Sequence, residues 1–192
     1  NEKLEAKKKF YEMKAESDII QAKEKNNPDD VSAVNNFNQT FGQYKNQQLS
    51  QIKNKRVKRK LELLLNADQP ESVYKIKAAS FEALEAQNID MYNTEQNTLS
   101  AEYSLSKDPN LKDIAKQKRI ESAKEFENMH LMGKPWLNKE IQTINTDSAI
   151  FDADVAIANN DYNKAKDILL KAKNVDAEEM QKRIITIEKQ KE

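Results

Sequence analysis

The amino-acid sequence predicts an all-α fold, built as an extended antiparallel hairpin of long helices followed by a bundle of shorter helices. Three observations carry that prediction. The 192 residues include only two Gly and four Pro, too few turn formers for a strand-rich chain. The apolar residues recur at three- and four-residue steps and do not alternate with polar ones. Leu, Ile, Val and Phe make up about a fifth of the chain while 33% is charged, so there is little core per residue, which suits long helices better than a compact globule.

The first helix is expected over residues 2–25. Phe10, Met13 and Ile20 fall on one face, with Tyr11 and Ile19 beside it. "NNPDD" (26–30) ends it, because Pro28 pushes Asn27 out of helical geometry and Asp29 or Asp30 can cap the next helix. The second helix is expected over 31–65. Val34, Phe37, Phe41 and Tyr44 form a 3-4-3 seam, the pattern slips before Leu49 and Ile52, and it recovers at Val57, Leu61 and Leu64. "NADQPE" (66–71) reads as a junction, with Asp68 as N-cap, Pro70 in the first turn and Glu71 in the reciprocal capping position. A third helix then runs to about Leu105 with Phe81, Leu84, Met91, Leu99 and Tyr103 on its buried side. The short link folds helices two and three into a hairpin.

"SKDPN" (106–110) opens a second region, so the expected domains are 1–105 and 106–192. Its helices are expected at 111–132, ending at Gly133, and at 137–158, where Leu137, Ile141, Ile144, Phe151 and Val155 share a face. Two more follow at 162–173 and 177–189, the last opened by a capping box of Asp176 and Glu179.

Composition removes most chemistry. Lys+Arg and Asp+Glu are 32 each, without the basic excess of a dedicated nucleic-acid domain. Cys is absent, which removes disulfides, thiolate metal sites and a Cys nucleophile. No apolar run approaches the ~20 residues of a membrane span. Two Gly cannot build a phosphate-cradling loop. His130 is the only His; with Glu127 it makes a Glu-x-x-His step, but a di-iron bundle needs a second such step. Residues 152–163 begin like a calcium loop at Asp152 and Asp154, then place Ala156 and Asn163 where ligands belong. No cofactor and no metal is expected. The chain begins at Asn1, not Met, and is expected to be a processed protein or a segment of a longer one. Nothing in it points to a compartment.

Three features remain as candidate contacts. "KNKRVKRKLELLL" (53–65) supplies Lys53, Lys55, Arg56, Lys58, Arg59 and Lys60, inside a span from Val31 to Leu61 with seven bases and no acid. These six side chains are candidate contacts for an anionic partner, by displacing counterions from phosphates or by attraction to acidic lipid. No aromatic is interleaved among them for base stacking. The competing reading is structural. At the C-terminal end of a long helix the dipole favours cations, and the Leu cluster would be hairpin core. Trp136, the lone Trp, is a candidate interface anchor or a loop residue packed on helix ends. Residues 35–54 are half Asn and Gln, a neutral polar face that is cheaper to bury than charges.

"ANNDYNKAKDILLKAKNVDAEE" (158–179) resembles the second helix of a tetratricopeptide repeat and its flanks. The likeness rests on Asp161 and Tyr162 at the turn, Ala165, Ala172, and the Val175-Asp176 exit. Ala153 matches the small residue of that family's first helix, so the hairpin spans about 149–179. Asn160 stands where the family has Gly, and Ala177 where it has Pro. The resemblance implies protein–protein binding without catalysis.

The expected function is therefore that of a non-catalytic structural or interaction protein. It would act by self-association or protein–protein contacts as a component of a larger assembly, such as a virion, secretion or scaffold complex. An anion-binding module on nucleic acid or acidic membrane is the first alternative, and an enzyme with carboxylate chemistry the second.

Overall fold

The structure, a computed structural model, describes residues 1–191. They form seven helices and no strand: α1 (Glu2–Lys23), α2 (Asp30–Ser50), α3 (Lys55–Leu105), α4 (Pro109–His130), α5 (Lys134–Ala158), α6 (Tyr162–Lys171) and α7 (Ala177–Gln190). The all-α class is as expected. The chain divides into two compact units, Asn1–Ile89 and Asp90–Glu192. The division falls inside α3, not at the 105/106 loop.

The first unit contains α1, α2 and residues 55–89 of α3. Asp29 caps α2 by accepting from the Ser32 N–H at 3.1 Å, as the sequence suggested. The helix expected over 31–65 is interrupted. It ends at Ser50, residues 51–54 turn, and α3 begins at Lys55. Asn54 is the new N-cap. Its side-chain oxygen accepts from Arg56 N–H at 3.0 Å and Val57 N–H at 3.3 Å, and its carbonyl accepts from Lys58 N–H. The slip in the apolar seam before Leu49 and Ile52 marks this reversal.

The expected junction at 66–71 is helical throughout. Pro70 stands inside α3, where its missing N–H leaves the Asn66 carbonyl without its usual donor. Packing explains why the helix continues: Leu61, Leu65, Ser72 and Ile76 are all buried, at steps of four, seven and four along one face. Asp68 caps nothing; its carboxylate accepts from Lys14 Nζ at 2.6 Å.

A hairpin of long helices does form, with its turn at 51–54. Lys45 donates to Asn66, and Gln69 to Asn38, so α2 and α3 run antiparallel. Asn54 bonds Glu2, and Lys14 bonds Asp68, so α1 runs beside α3 in the same direction. Between them lie Met13, Ile20, Ala33, Phe37, Phe41, Leu49, Leu61, Leu65 and Ile76.

In the second unit, Asp108 caps α4 through the Asn110 N–H at 2.8 Å. Leu131 is left-handed at the end of α4, and Gly133 (φ 91°) opens α5. Pro135 therefore sits in the first turn of α5, and that helix begins three residues earlier than expected. Asn160 takes φ 59°, a conformation Asn tolerates, and Asp161 caps α6 through Lys164 N–H. Asp176 caps α7 through Glu178 and Glu179 N–H. The reciprocal half of that expected box comes from another helix, since Asp176 N–H donates to Thr146 Oγ1 at 2.9 Å. Two cores result. One is Tyr92, Ala123, Phe126 and Ile144; the other is Ala149, Ala153, Ala156, Ala165, Leu169, Met180, Ile184 and Ile187.

Candidate interaction surfaces

The basic stretch lies at the start of a helix, not its end. Lys53 is in the turn, and Lys55, Arg56, Lys58, Arg59 and Lys60 occupy the first turns of α3. Lys58 is half-buried and the other five are exposed. The dipole no longer favours them: cations in a first turn are opposed by about 0.3–1 kcal/mol each. None of the six lies within 4.0 Å of a carboxylate among the described residues. Their neighbour Val57 is fully buried, as are Leu61 and Leu65, so the stretch does contribute core through one edge.

Sequence reasoning missed two companions, Lys3 and Lys7. The Glu2–Asn54 bond brings the start of α1 beside the start of α3. A cleft of about 310 Å³ opens there, lined by Lys3, Ala6, Lys7, Lys60, Leu63 and Leu64. Lower on the same two helices, Lys14 is neutralised by Asp68. That hydrogen bond, ahead of the opposing effect of burial, holds its ammonium above the ordinary lysine range. No such acid serves Lys3, Lys7 or Lys60 among the described residues.

The far side of α3 is apolar and open. Phe81, Leu84 and Met91, expected in the core, are exposed, as are Tyr74 and Ile89; Leu99 and Tyr103 are buried as expected. From Phe81 to Ile89 no residue is buried. At 100° per residue Phe81 points opposite to Ser72 and Leu65, which face the core. The periodicity of 74, 81 and 84 is thus real, but it describes a second apolar stripe, not the packed one.

In the second unit Trp136 stands on the first turn of α5. It is half-buried, 5.5 Å from Phe126 and 6.0 Å from Tyr92 by ring centroids. His130 lies against Phe126 at 4.3 Å. The carboxylates here are engaged. Asp152 accepts from Tyr103 OH at 2.6 Å and Lys112 Nζ at 2.8 Å. Glu140 accepts from Tyr92 OH at 2.7 Å. Burial first, and then these bonds, hold both phenols above the ordinary tyrosine range. Arg119, only 8% exposed, donates to Gln96 at 3.0 Å and Asp147 at 3.3 Å. A cleft of about 220 Å³ beside it holds Asp147 and Asp154, each bonded to an arginine. Among the described residues no group of three or more His, Asp or Glu could hold a metal ion, and no helix is long and apolar enough to cross a membrane.

No protein-family model, no curated protein and no solved structure matches the chain.

Proposed function

We propose that the chain is a non-catalytic helical interaction protein, a component of a larger assembly that works through contacts between copies of itself. The observation that carries this is the uncovered run of α3 from Phe81 to Ile89, where no residue is buried and Phe81 is 62% exposed, with Tyr74, 73% exposed, leading into it on the same side of the helix. A short helical run with no packed face is marginal in water, and clustered exposed apolar side chains mark contact surfaces. Charge supports a second copy as the occupant. Lys77 precedes the Phe81–Ile89 run, and Glu82 and Glu85 fall within it. Antiparallel pairing centred on Phe81 sets the two Phe81 side chains against each other, each Leu84 against the other copy's Ala78 and each Lys77 against the other's Glu85. Parallel pairing opposes like charges. Lys77 and Glu85 have no ionic partner within 4.0 Å among the described residues. The tetratricopeptide-like hairpin supports the same class, with Ala153 and Ala165 buried and Tyr162 packed beside them.

The test is light scattering after size exclusion across a concentration series. A concentration-dependent dimer is expected. It should be lost in Phe81→Glu with Leu84→Glu, weakened in Lys77→Glu, and restored when Lys77→Glu is combined with Glu85→Lys. A chain that stays monomeric at every concentration overturns the reading.

A further inference from the structure

We propose that the cleft between α1 and α3 of the first unit binds a free single-chain amphiphile with an anionic head, a carboxylate of the fatty-acid class. The acyl chain would lie on Ala6, Leu63 and Leu64, and the carboxylate among Lys3, Lys7 and Lys60.

The two walls are built alike. Lys3, Ala6 and Lys7 on α1, and Lys60, Leu63 and Leu64 on α3, each stand at i, i+3 and i+4, so each triplet shares one helical face. The helices run in the same direction and are tied at Glu2–Asn54 and Lys14–Asp68, which holds the walls in register. The floor is apolar: Ala6 is buried, and Leu63 remains exposed although it lines the cleft. Lysine stems extend that apolar surface while their ammonium groups stay at the rim. Cations therefore stand on both walls with an apolar strip between them, the arrangement that fits a ligand with one charged end and one oily end.

The field at this end of the unit reinforces the choice of an anion. Two parallel helices begin here, α1 at Glu2 and α3 at Lys55; both N-termini are positive, although Glu2 and Glu5 in the first turn of α1 offset part of that field. Lys55, Arg56 and Arg59 add three exposed bases. Size separates the occupants. About 310 Å³ is at the small end of ligand pockets and fits one extended chain, whereas a partner helix is roughly 10–12 Å across. Nucleic acid would gain nothing from Leu63 and Leu64, and no aromatic side chain lines the cleft for a base to stack on.

The test uses the full chain and calorimetric titration with dodecanoate below its micelle concentration. Dodecyltrimethylammonium and dodecyl maltoside serve as head-group controls, and octanoate as the chain-length control. Saturable binding of one dodecanoate per chain is expected, weaker for octanoate and absent for the cationic and neutral heads. Replacing Lys3, Lys7 and Lys60 together by Gln should weaken it about tenfold or more, and Leu63→Asn should weaken it as well. All four positions are exposed, so the helical circular dichroism should not change. Equal affinity for all three head groups, or binding unaltered in the triple variant, overturns the proposal. So does binding to anionic vesicles without binding to monomeric dodecanoate, which would make this a bilayer-facing surface. Tight binding of an acidic amphipathic peptide that dodecanoate cannot displace also overturns it.

Discussion

The first unit is held together by bulk and the second by direction. The fully buried large side chains of Asn1–Ile89 are Phe37, Met13, Leu61, Ile76 and Val57, and its buried polar residues are three serines. The second unit also buries bulk at Ile144, Leu169, Met180 and Ile187, but it adds six buried alanines, Ala115, Ala123, Ala149, Ala153, Ala156 and Ala165, and buries Gln96, Arg119, Ser122, Thr146 and Ser148. Small residues let helices approach closely, and directional bonds between side chains then fix their register. Apolar bulk fixes mainly the amount buried. The unit that depends on bulk also leaves an apolar stripe and an apolar-floored cleft open on its helices.

Phe37→Ala should do the greatest damage. The ring is fully buried and stacked on Phe41 at 5.5 Å, and its removal should cost about 3–5 kcal/mol. Hydrogen exchange read helix by helix is the measurement: protection should fall in α1 and α2 and persist in α5 to α7. Equal loss in α5 to α7 would show that the two cores unfold as one. The matching blow to the second unit is Arg119→Met, which keeps the bulk and removes the donors. Gln96 then loses the guanidinium that serves its amide oxygen. The expected cost is about 2 kcal/mol, that of a buried acceptor left unpaired. Little of it comes from Asp147, which is half exposed. An unchanged urea midpoint would mean that alanine packing alone sets the register.

The same contrast explains what could be read from the sequence. The helical class, the caps at Asp29 and Asp176, and the end of α3 near Leu105 are local chemistry, and residues within a turn of each other reveal them. The turn at 51–54 has no Gly or Pro. It is set by burying Leu61 and Leu65 in one cluster with Leu49 and Phe41, which only the folded chain brings together. Pro70 gave a strong local stop signal that this burial overrode. Phe81 and Leu84 have correct helical spacing, but spacing cannot tell which of two apolar stripes meets the core. Moving the turn reversed the electrostatic reading of Lys55 to Lys60, because the same bases now stand at the opposite pole of a helix. Their companions Lys3 and Lys7 are distant in sequence, so no local pattern could have placed the cleft.

Pro70→Ala sharpens this point about the first unit. If α3 is continuous because of its packed face, the proline opposes the fold and does not organise it. Alanine restores the N–H for the Asn66 carbonyl and recovers part of the ~3 kcal/mol interior penalty. Some of that gain is offset because proline also restricts the unfolded chain. A net stabilisation of about 1–2 kcal/mol is expected in urea titration. Destabilisation would mean that the chain needs a break at 66–71 after all.

The smallest effect belongs to the phenols and tests whether direction, beyond burial, matters in the second unit. Tyr103→Phe removes the bond to Asp152, and Tyr92→Phe the bond to Glu140, at about 1 kcal/mol each near neutral pH. Tyr44 of the first unit is the control. Burial first, then Glu16 and Glu12, raise its pKa too, without a carboxylate hydrogen bond among those causes, so Tyr44→Phe should cost less. The pH dependence comes from the sign of the shifts. Both second-unit phenols have folded values raised above the ordinary 10.0. Their contribution is therefore complete below pH 10 and is lost as pH rises from there towards the folded values, because the unfolded chain releases its protons first. Denaturation midpoints of the wild type should fall above pH 10, and those of the double Phe variant should fall less steeply. Parallel curves for the two proteins would mean that the alkaline loss comes from elsewhere, and that alanine packing rather than tyrosine–carboxylate bonding holds this unit.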